Sequence, residues 1–222
     1  MEIIEAFQNR KSIRGYKPDL VPQDVLRQIF SFARRVSSDV NAQPWHITVI
    51  TGEVLENIRK ANVAKLVSGE APYLDVATFR YEGKYRQRQI DLAIQLFGLM
   101  GITREDKEKR TEWLKRGFRF FDAPAAIILS AERSIMDLRS QFDCGAITTA
   151  ICLAALHYGL GTCVEDQGIS YPDVVRKHAG IPDIHRIISS IAIGYPDWDF
   201  PANKLHSERE TVDNIVSWCG FA

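Results

Sequence analysis

The 222 residues lack most of the signals that assign function at a glance. Net charge is absent, because 28 Lys+Arg stand against 28 Asp+Glu. A nucleic-acid platform needs a basic excess to meet phosphates, so that class is excluded, although a local cluster can still hold a small anion. No apolar run approaches the roughly 20 residues of a membrane span. The start, Met-Glu-Ile-Ile-Glu-Ala-Phe, has no basic region ahead of an apolar one, so no secretory signal is expected. Four cysteines (Cys144, Cys152, Cys163, Cys219) include no C-x-x-C pair, which fits reduced thiols in a cytoplasmic protein better than a disulfide framework or zinc site. The five histidines never fall at metal-ligand spacing, so no metal is expected. G-x-S-x-G, G-x-x-x-x-G-K-[ST], H-E-x-x-H and G-x-G-x-x-G are all missing. With no repeat, low-complexity stretch or linker, residues 1–222 are expected to form one domain.

What is present reads as helices around a modest sheet. Ile3, Ile4 and Phe7 share a helical face, and Pro22 opens a helix striped by Val25, Leu26, Ile29, Phe30 and Ala33. Strands are predicted at 45–50, 125–131, 161–165 and 187–194. Further helices are predicted through Leu55, Ile58 and Leu66, near 84–100, and from Thr103. Residues 143–158 are apolar almost all round, as expected of a helix covered on every side. Another helix takes Ser170 as its N-cap, Pro172 just inside and Gly180 as its stop. The fold class is therefore α+β, with helices layered on a sheet. The last 25 residues have little to bury alone and are expected to wrap a neighbouring subunit.

Four segments carry candidate chemistry. Arg10-Lys-Ser-Ile-Arg-Gly-Tyr-Lys17 places four cations within eight residues with no acid, and Arg forks match phosphate or a developing anion. Ser37-Ser-Asp-Val-Asn-Ala-Gln-Pro-Trp45 offers hydroxyl and amide groups ahead of a strand, a rim suited to a heterocycle. Gly159-Leu-Gly-Thr-Cys163, leading to Glu165-Asp-Gln-Gly168, lets backbone N–H groups approach a ligand. Ala202-Asn-Lys-Leu-His-Ser-Glu-Arg209 adds a second basic segment. Each alone also reads as a solvated loop or turn. Their order and spacing together do not.

Taken with F-F-D-A-P at 120–124 and I-A-I-G-Y-P-D at 191–197, these blocks resemble the FMN-dependent nitroreductase superfamily nearly end to end. The resemblance implies a nitroreductase-like layered fold with a central, mostly antiparallel sheet, assembled as an intertwined homodimer with FMN at the subunit interface. It implies that Arg10, Lys11 and Ser12 contact the ribityl phosphate region and that Arg14 and Arg119 lie near N1 and O2 of the ring. Gln167 and Gly168 would offer a backbone N–H to N5, and Lys204, His206 and Arg209 would close around the phosphate. Ser38, Asp39, Asn41 and Gln43 would form the loop contributed by the other subunit. Cations near N1 and O2 favour the reduced, anionic flavin, and no obligatory catalytic side chain is implied. His206 stands where many relatives carry Arg or Lys, and Arg116-Gly117 where an Asn is frequent.

The implied reaction is ping-pong hydride transfer from NADH or NADPH through FMN to a nitroaromatic, a quinone or a similar electron-poor aromatic. Residues 80–119 hold 11 Lys+Arg against 6 Asp+Glu, a local +5 balanced by −5 elsewhere. Residues 70–117 are expected to form the substrate lid, with Tyr73, Phe79, Tyr81, Tyr85, Phe97 and Trp113 as stacking candidates and Arg86 and Arg88 as candidate carboxylate contacts. Residues 198–222 are expected to form the arm. Reductive dehalogenation, flavin breakdown and low-turnover flavin binding are the alternatives on the same scaffold. The zwitterion clamp of the deiodinase branch is matched only by Glu82 and Tyr85, one residue short in spacing.

Overall fold

Residues 125–131 are apolar or small at every position but Ser130, and all seven are buried. Such a run has no polar face to present to water, so it becomes a strand covered on both sides. The computed structural model describes residues 2–76, 80–135 and 138–221. In chain order the elements are α1 (Ile3–Asn9), α2 (Gln23–Ala33), β1 (His46–Thr51), α3 (Gly52–Val67), α4 (Gly83–Leu99), α5 (Lys107–Phe118), β2 (Ala125–Glu132), α6 (Leu138–His157), β3 (Gly161–Glu165), α7 (Pro172–Ala179), β4 (His185–Gly194) and α8 (Val212–Ile215). The four strands form one antiparallel sheet in the order β1-β2-β4-β3. The mixed fold with a mostly antiparallel sheet is thus as expected.

The period of two along a strand sorts the core. Ala126 and Ile128 face α3 and α7, packing with Leu55, Ile58, Phe120, Tyr171 and Val175. Ile127 and Leu129 face α2 and α6, with Leu26, Ile29, Ile147 and Ile151. Three layers result, two of helix around one of sheet.

Three local expectations shift. The helix expected from Thr103 starts at Lys107, with Asp106 as N-cap; its carboxylate accepts the Lys109 N–H at 3.0 Å. The N-cap of α7 is Tyr171, while the Ser170 hydroxyl donates backward to the Asp166 carbonyl at 2.9 Å. Along α6 the inner stripe is buried, but Leu138 and Phe142 are 85% and 75% exposed, so the helix is covered on one side only within the chain. No helix among the described residues is long and apolar enough to cross a membrane.

One turn between α5 and β2 is backbone-strained. Phe120, Phe121 and Asp122 all hold φ between 52° and 58°, a left-handed run without glycine. Buried Arg59 holds it by donating to the Arg119 carbonyl at 2.9 Å and to the Ala123 carbonyl, while pairing with Glu56. Arg59→Met keeps the stem and removes these donors. Urea unfolding should report a loss of about 2–4 kcal/mol; a change below a few tenths would mean that the turn does not need them.

Candidate active site

The first cationic segment runs along the edge of the sheet. Ile13 N–H donates to the Thr162 carbonyl at 2.9 Å, Ser12 bridges Thr162 in parallel, and Lys17 N–H donates to the Tyr195 carbonyl at 2.9 Å. Ile13 and Gly15 point inward and are buried; Arg10, Ser12 and Arg14, the alternate positions, stay partly exposed. The close approach requires glycine. A Cβ on Gly15 would lie 2.2 Å from the Phe200 ring, and one on Gly161 2.5 Å from Ile13. Asn203, 1% exposed, locks the segment: its carbonyl oxygen accepts the Arg14 N–H at 2.7 Å, and its amide donates to the carbonyls of Gly15 at 2.8 Å and Asp197 at 2.7 Å. Tyr16 is positioned to donate to the Ile13 carbonyl at 2.7 Å.

At one end of this segment the cations gather. Arg10, Lys11, His206 and Arg209 line a cavity of about 660 Å³ together with Phe7 and Trp198. Arg10 and Arg209 also line an adjoining cavity of about 410 Å³ with Ser12, Ser207 and Arg88. Lys11 Nζ lies 3.4 Å from His206 Nε2 and 5.6 Å from the Trp198 ring centre, and burial lowers the Lys11 ammonium from its ordinary pKa. Among the described residues, Arg209 donates only to Ser207 and the Glu208 carbonyl. Among the described residues, none of Arg10, Lys11, Lys204 and Arg209 has a carboxylate at ion-pair distance. Lys204, on the turn Pro201–Lys204, is exposed and lines neither cavity. Unneutralised cations of this kind are what a phosphate monoester requires.

At the other end lies Arg14, whose guanidinium sits 5.8 Å from the Phe121 ring centre. The left-handed turn presents that ring. Arg116 donates to the carbonyls of Arg14 at 3.2 Å and Phe121 at 3.3 Å, pairs with Asp122 at 3.1 Å, and stacks 4.7 Å from the Phe200 ring centre. Arg119 is engaged with Asp122 at 2.6 Å. The turn after β3 is equally tight. A Cβ on Gly168 would lie 2.4 Å from the Phe120 ring, and Asn62 donates to the Gly168 carbonyl at 2.8 Å. The Gln167 carboxamide lies over Gly117, where a Cβ would come within 1.9 Å of its oxygen. That carboxamide has no hydrogen-bond partner among the described residues. The glycine at 117 is what leaves that space to the Gln167 amide.

Glu165 lies under this turn. Its carboxylate accepts the Gly168 N–H at 2.9 Å and the Ser190 hydroxyl at 2.7 Å. Burial pushes its pKa up to about 7, with the nearby Asp166 charge adding to the rise and those two donors opposing it.

The loop 38–43 is built under strain. Val40, Asn41 and Gln43 hold φ of 41°, 61° and 49°, and Val40 is 93% exposed. Gln43 N–H donates to Ser38 Oγ at 3.0 Å, Gln43 Nε2 to the Asn41 carbonyl at 3.2 Å, and Asp39 N–H to the Asp143 carboxylate at 3.1 Å. Among the described residues no hydrogen bond or ion pair joins this loop to residues 10–16. One chain therefore brings together Arg10, Lys11, Ser12, His206 and Arg209, and separately Arg14, Gln167 and Gly168, but not Ser38, Asp39, Asn41 or Gln43.

The family model described as the nitroreductase family matches residues 7–195. The chain belongs to the nitroreductase family. A 4-nitrobenzoate reductase of Nocardioides sp. (strain LMS-CY) is 30% identical over 97% of this chain and 90% of its own length. A nitrobenzene nitroreductase of Ectopseudomonas oleovorans is 28% identical over 97% and 96%. Among solved structures, the FMN and NADPH-dependent nitroreductase NfnB from Sphigopyxis sp. strain HMH superposes with a TM-score of 0.95 at 29% identity over the whole of both chains.

Within this nitroreductase, several lid candidates have other partners. Tyr73 donates to Asp173 at 3.2 Å, Trp113 packs 5.9 Å from Phe121, and Phe97 lies under Arg110 at 4.4 Å. Arg88 pairs with Glu210, and Arg86 bonds Gln89 on the solvated face of α4. Tyr81 and Tyr85 remain exposed; Phe79 lies outside the described residues. Among the described residues there is no cluster of three or more potential metal ligands. Sequence reasoning passed over Asn203 and Glu165. The only available signal was their position inside motifs already noted.

Because the folded Glu165 binds its proton more tightly than the unfolded chain, its contribution to stability is full below the ordinary value of 4.5 and is lost as pH rises through 7. Ligand-free wild-type protein should therefore lose up to about 3 kcal/mol across that window relative to Glu165→Gln, which is isosteric. Denaturation curves over a pH series check this; parallel profiles would show that Glu165 does not titrate there.

Proposed function

We propose that this chain binds FMN across the two ends described above and uses it to reduce nitroaromatic compounds with NADH or NADPH. The enzyme is an NAD(P)H-dependent FMN oxidoreductase of the nitroreductase type. The observation that carries the reading is the single edge segment 10–14. Three alternate, partly exposed residues face the same way, backed by buried Ile13 and Gly15, with unneutralised cations at one end and a backbone turn at the other. Arg10, Lys11, Ser12, His206 and Arg209 hold the phosphate, and Lys204 adds charge nearby. Arg14 lies along the electron-rich edge of the ring, on its Phe121 platform. The Gln167–Gly168 turn presents its backbone, and Gln167 its spare carboxamide, to the reacting edge.

When bound, FMN supplies a two-electron relay between a reduced nicotinamide and an electron-poor aromatic. The residues do the rest: they hold the phosphate, orient the ring and favour negative charge at the Arg14 edge. We take the order as ping-pong, with the oxidised nicotinamide leaving before the acceptor enters, and include quinones among the acceptors. Residues 70–117 serve as the substrate lid, since α4 has no buried residue and is free to shift on its neighbours. Unbonded Cys144, Cys152, Cys163 and Cys219 suit a reducing cytoplasm.

The site is completed by a second copy. Ile3, Ile4 and Phe7 on α1, Leu138 and Phe142 on α6, and Val212, Ile215, Trp218 and Phe221 on the arm are exposed apolar groups that a single chain leaves in water. A homodimer covers them and carries Ser38, Asp39, Asn41 and Gln43 of one protomer to the flavin of the other.

Purified protein should be yellow and release FMN on denaturation. It should oxidise NADH or NADPH with 4-nitrobenzoate and with a quinone as acceptors, and the anaerobic acceptor panel ranks them. Arg14→Glu should weaken FMN affinity at least about tenfold. Unchanged affinity together with unchanged reduction would remove Arg14 from the ring edge. Phe142→Glu should elute at monomer size and lose FMN. A monomer that still binds FMN tightly would show that one chain suffices.

A further inference from the structure

Glu165 has no part in the chemistry described so far, yet it ends β3 directly beneath the turn that faces the reacting edge of the flavin. Its two oxygens are committed to neutral donors, the Gly168 N–H and the Ser190 hydroxyl, and Ser190 also donates to the Glu165 carbonyl at 2.6 Å. Among the described residues no Lys or Arg lies at ion-pair distance from it, so its charge is not neutralised by a partner. The groups around it are known from each side. On β3, the Cys163 thiol is pushed by burial up to about 11, and on the edge segment the Tyr16 phenol is raised well above its ordinary value; both are neutral near pH 7. Asp166, on the turn itself, carries like charge and accepts from Ser189 at 3.0 Å. The Arg14 guanidinium is the cation on the edge segment: it lowers the pKa of Cys163 and Tyr16, which the Glu165 charge raises.

We propose that Glu165 is a positioning residue that also stores the second proton of the reaction. The proposal rests on the reading that the flavin ring lies against the Gln167–Gly168 turn. Reduction of a nitro group to the nitroso level consumes two electrons and two protons and releases one water. A reduced nicotinamide gives up two electrons with only one proton, and is oxidised in doing so. The missing proton comes from solvent. Glu165 takes it onto its carboxylate as negative charge arrives at the ring edge above it, because a second negative charge in a poorly solvated site disfavours the carboxylate. When the acceptor withdraws the electrons, Glu165 releases the proton through the water of the site to the nitro oxygen that leaves as water, and with the hydrogen of the hydride this makes up the two protons consumed. Throughout, the carboxyl oxygen keeps hold of the Gly168 N–H, so proton storage and the placement of the turn are properties of one group. In the ligand-free protein, burial pushes its pKa up from 4.5 to about 7, which leaves it ready for either state.

The test counts protons. The FMN-loaded protein is titrated potentiometrically at a series of pH values above 7, which gives the number of protons taken up per flavin reduced. Wild type should take up about two and Glu165→Gln one. Equal uptake in the two proteins overturns the proposal while leaving the flavin site standing. If Glu165→Gln does not accumulate as folded protein, Ser190→Ala removes one donor from the carboxylate. The pH at which uptake falls from two to one should then move upward, and an unmoved profile overturns the proposal as well. FMN affinity that survives Arg14→Glu unchanged marks a different failure, that of the flavin placement on which the proposal rests.

Discussion

The carboxamide of Asn203 makes three hydrogen bonds, two of which join parts of the chain almost 190 residues apart in sequence. Its oxygen takes the Arg14 N–H and its nitrogen serves the carbonyls of Gly15 and Asp197. These bonds are buried or part-buried, and an unmade bond at a buried group costs about 1–3 kcal/mol. The side chain therefore behaves as a short piece of missing strand. It adds to the Ile13 and Lys17 backbone bonds to β3 and to the residue after β4, and to the Asp197 N–H that the Gly15 carbonyl accepts at 3.1 Å, in holding Arg10, Ser12 and Arg14 in a common direction. The C-terminal segment is tied to the site by the same group, which is why Lys204, His206 and Arg209 follow within six residues.

The ring end depends on a costlier device. Three consecutive left-handed residues without glycine are unfavourable by about 1–2 kcal/mol each, and the surroundings over-determine them. Arg59 satisfies two carbonyls from below, Asn62 the Phe118 carbonyl at 3.1 Å, and Arg119 and Arg116 hold Asp122 from above. The return on that strain is geometric. Phe120 turns into the core under Gly168, and Phe121 turns toward Arg14. An ordinary extended connection would send successive side chains to opposite faces, and one of the two rings would be lost to solvent. Strain collected at the one place where a guanidinium must be aimed is the pattern expected of a functional site.

Much of this was legible beforehand, for identifiable reasons. Strands 125–131 and 187–194 announce themselves because a doubly covered strand is apolar or small at nearly every position, and α2 because its stripe repeats at the helical period. The starts of α5 and α7 were misplaced because capping is decided by which side chain reaches a free N–H, as Asp106 does for Lys109, and not by residue type alone. The uncovered stripe of α6 could not be read at all: an all-apolar helix looks the same whether its cover comes from its own chain or from a second copy. The left-handed run at 120–122 gave no warning either, since Phe-Phe-Asp carries no glycine. The cationic site residues were visible as a motif, but Asn203 and Glu165 were not. Both sit inside noted motifs, but their partners, the Arg14 N–H and the carbonyls of Gly15 and Asp197 for Asn203, and the Gly168 N–H and Ser190 hydroxyl for Glu165, are set by the fold and not by residue type.

The charge distribution shows the same difference between counting and pairing. Residues 80–119 carry a local +5, which suggested that the positive field of the site lay there. The structure pairs much of it off: Arg88 with Glu210, Lys109 with Asp106, Lys115 with Glu112, and Arg116 and Arg119 with Asp122. An exposed pair of this kind adds little stability but cancels its own field within a few ångströms. Around the site, by contrast, Arg10, Lys11, Arg14, Lys204 and Arg209 have no acid at ion-pair distance among the described residues. On the proposed reading, a chain of zero net charge holds a dianionic phosphate at one end of this segment and favours an anionic ring at the other. The attraction follows from which cations are left without partners, and the backbone bonds of Asn203 and Arg59 are what keep those cations where their charge is needed.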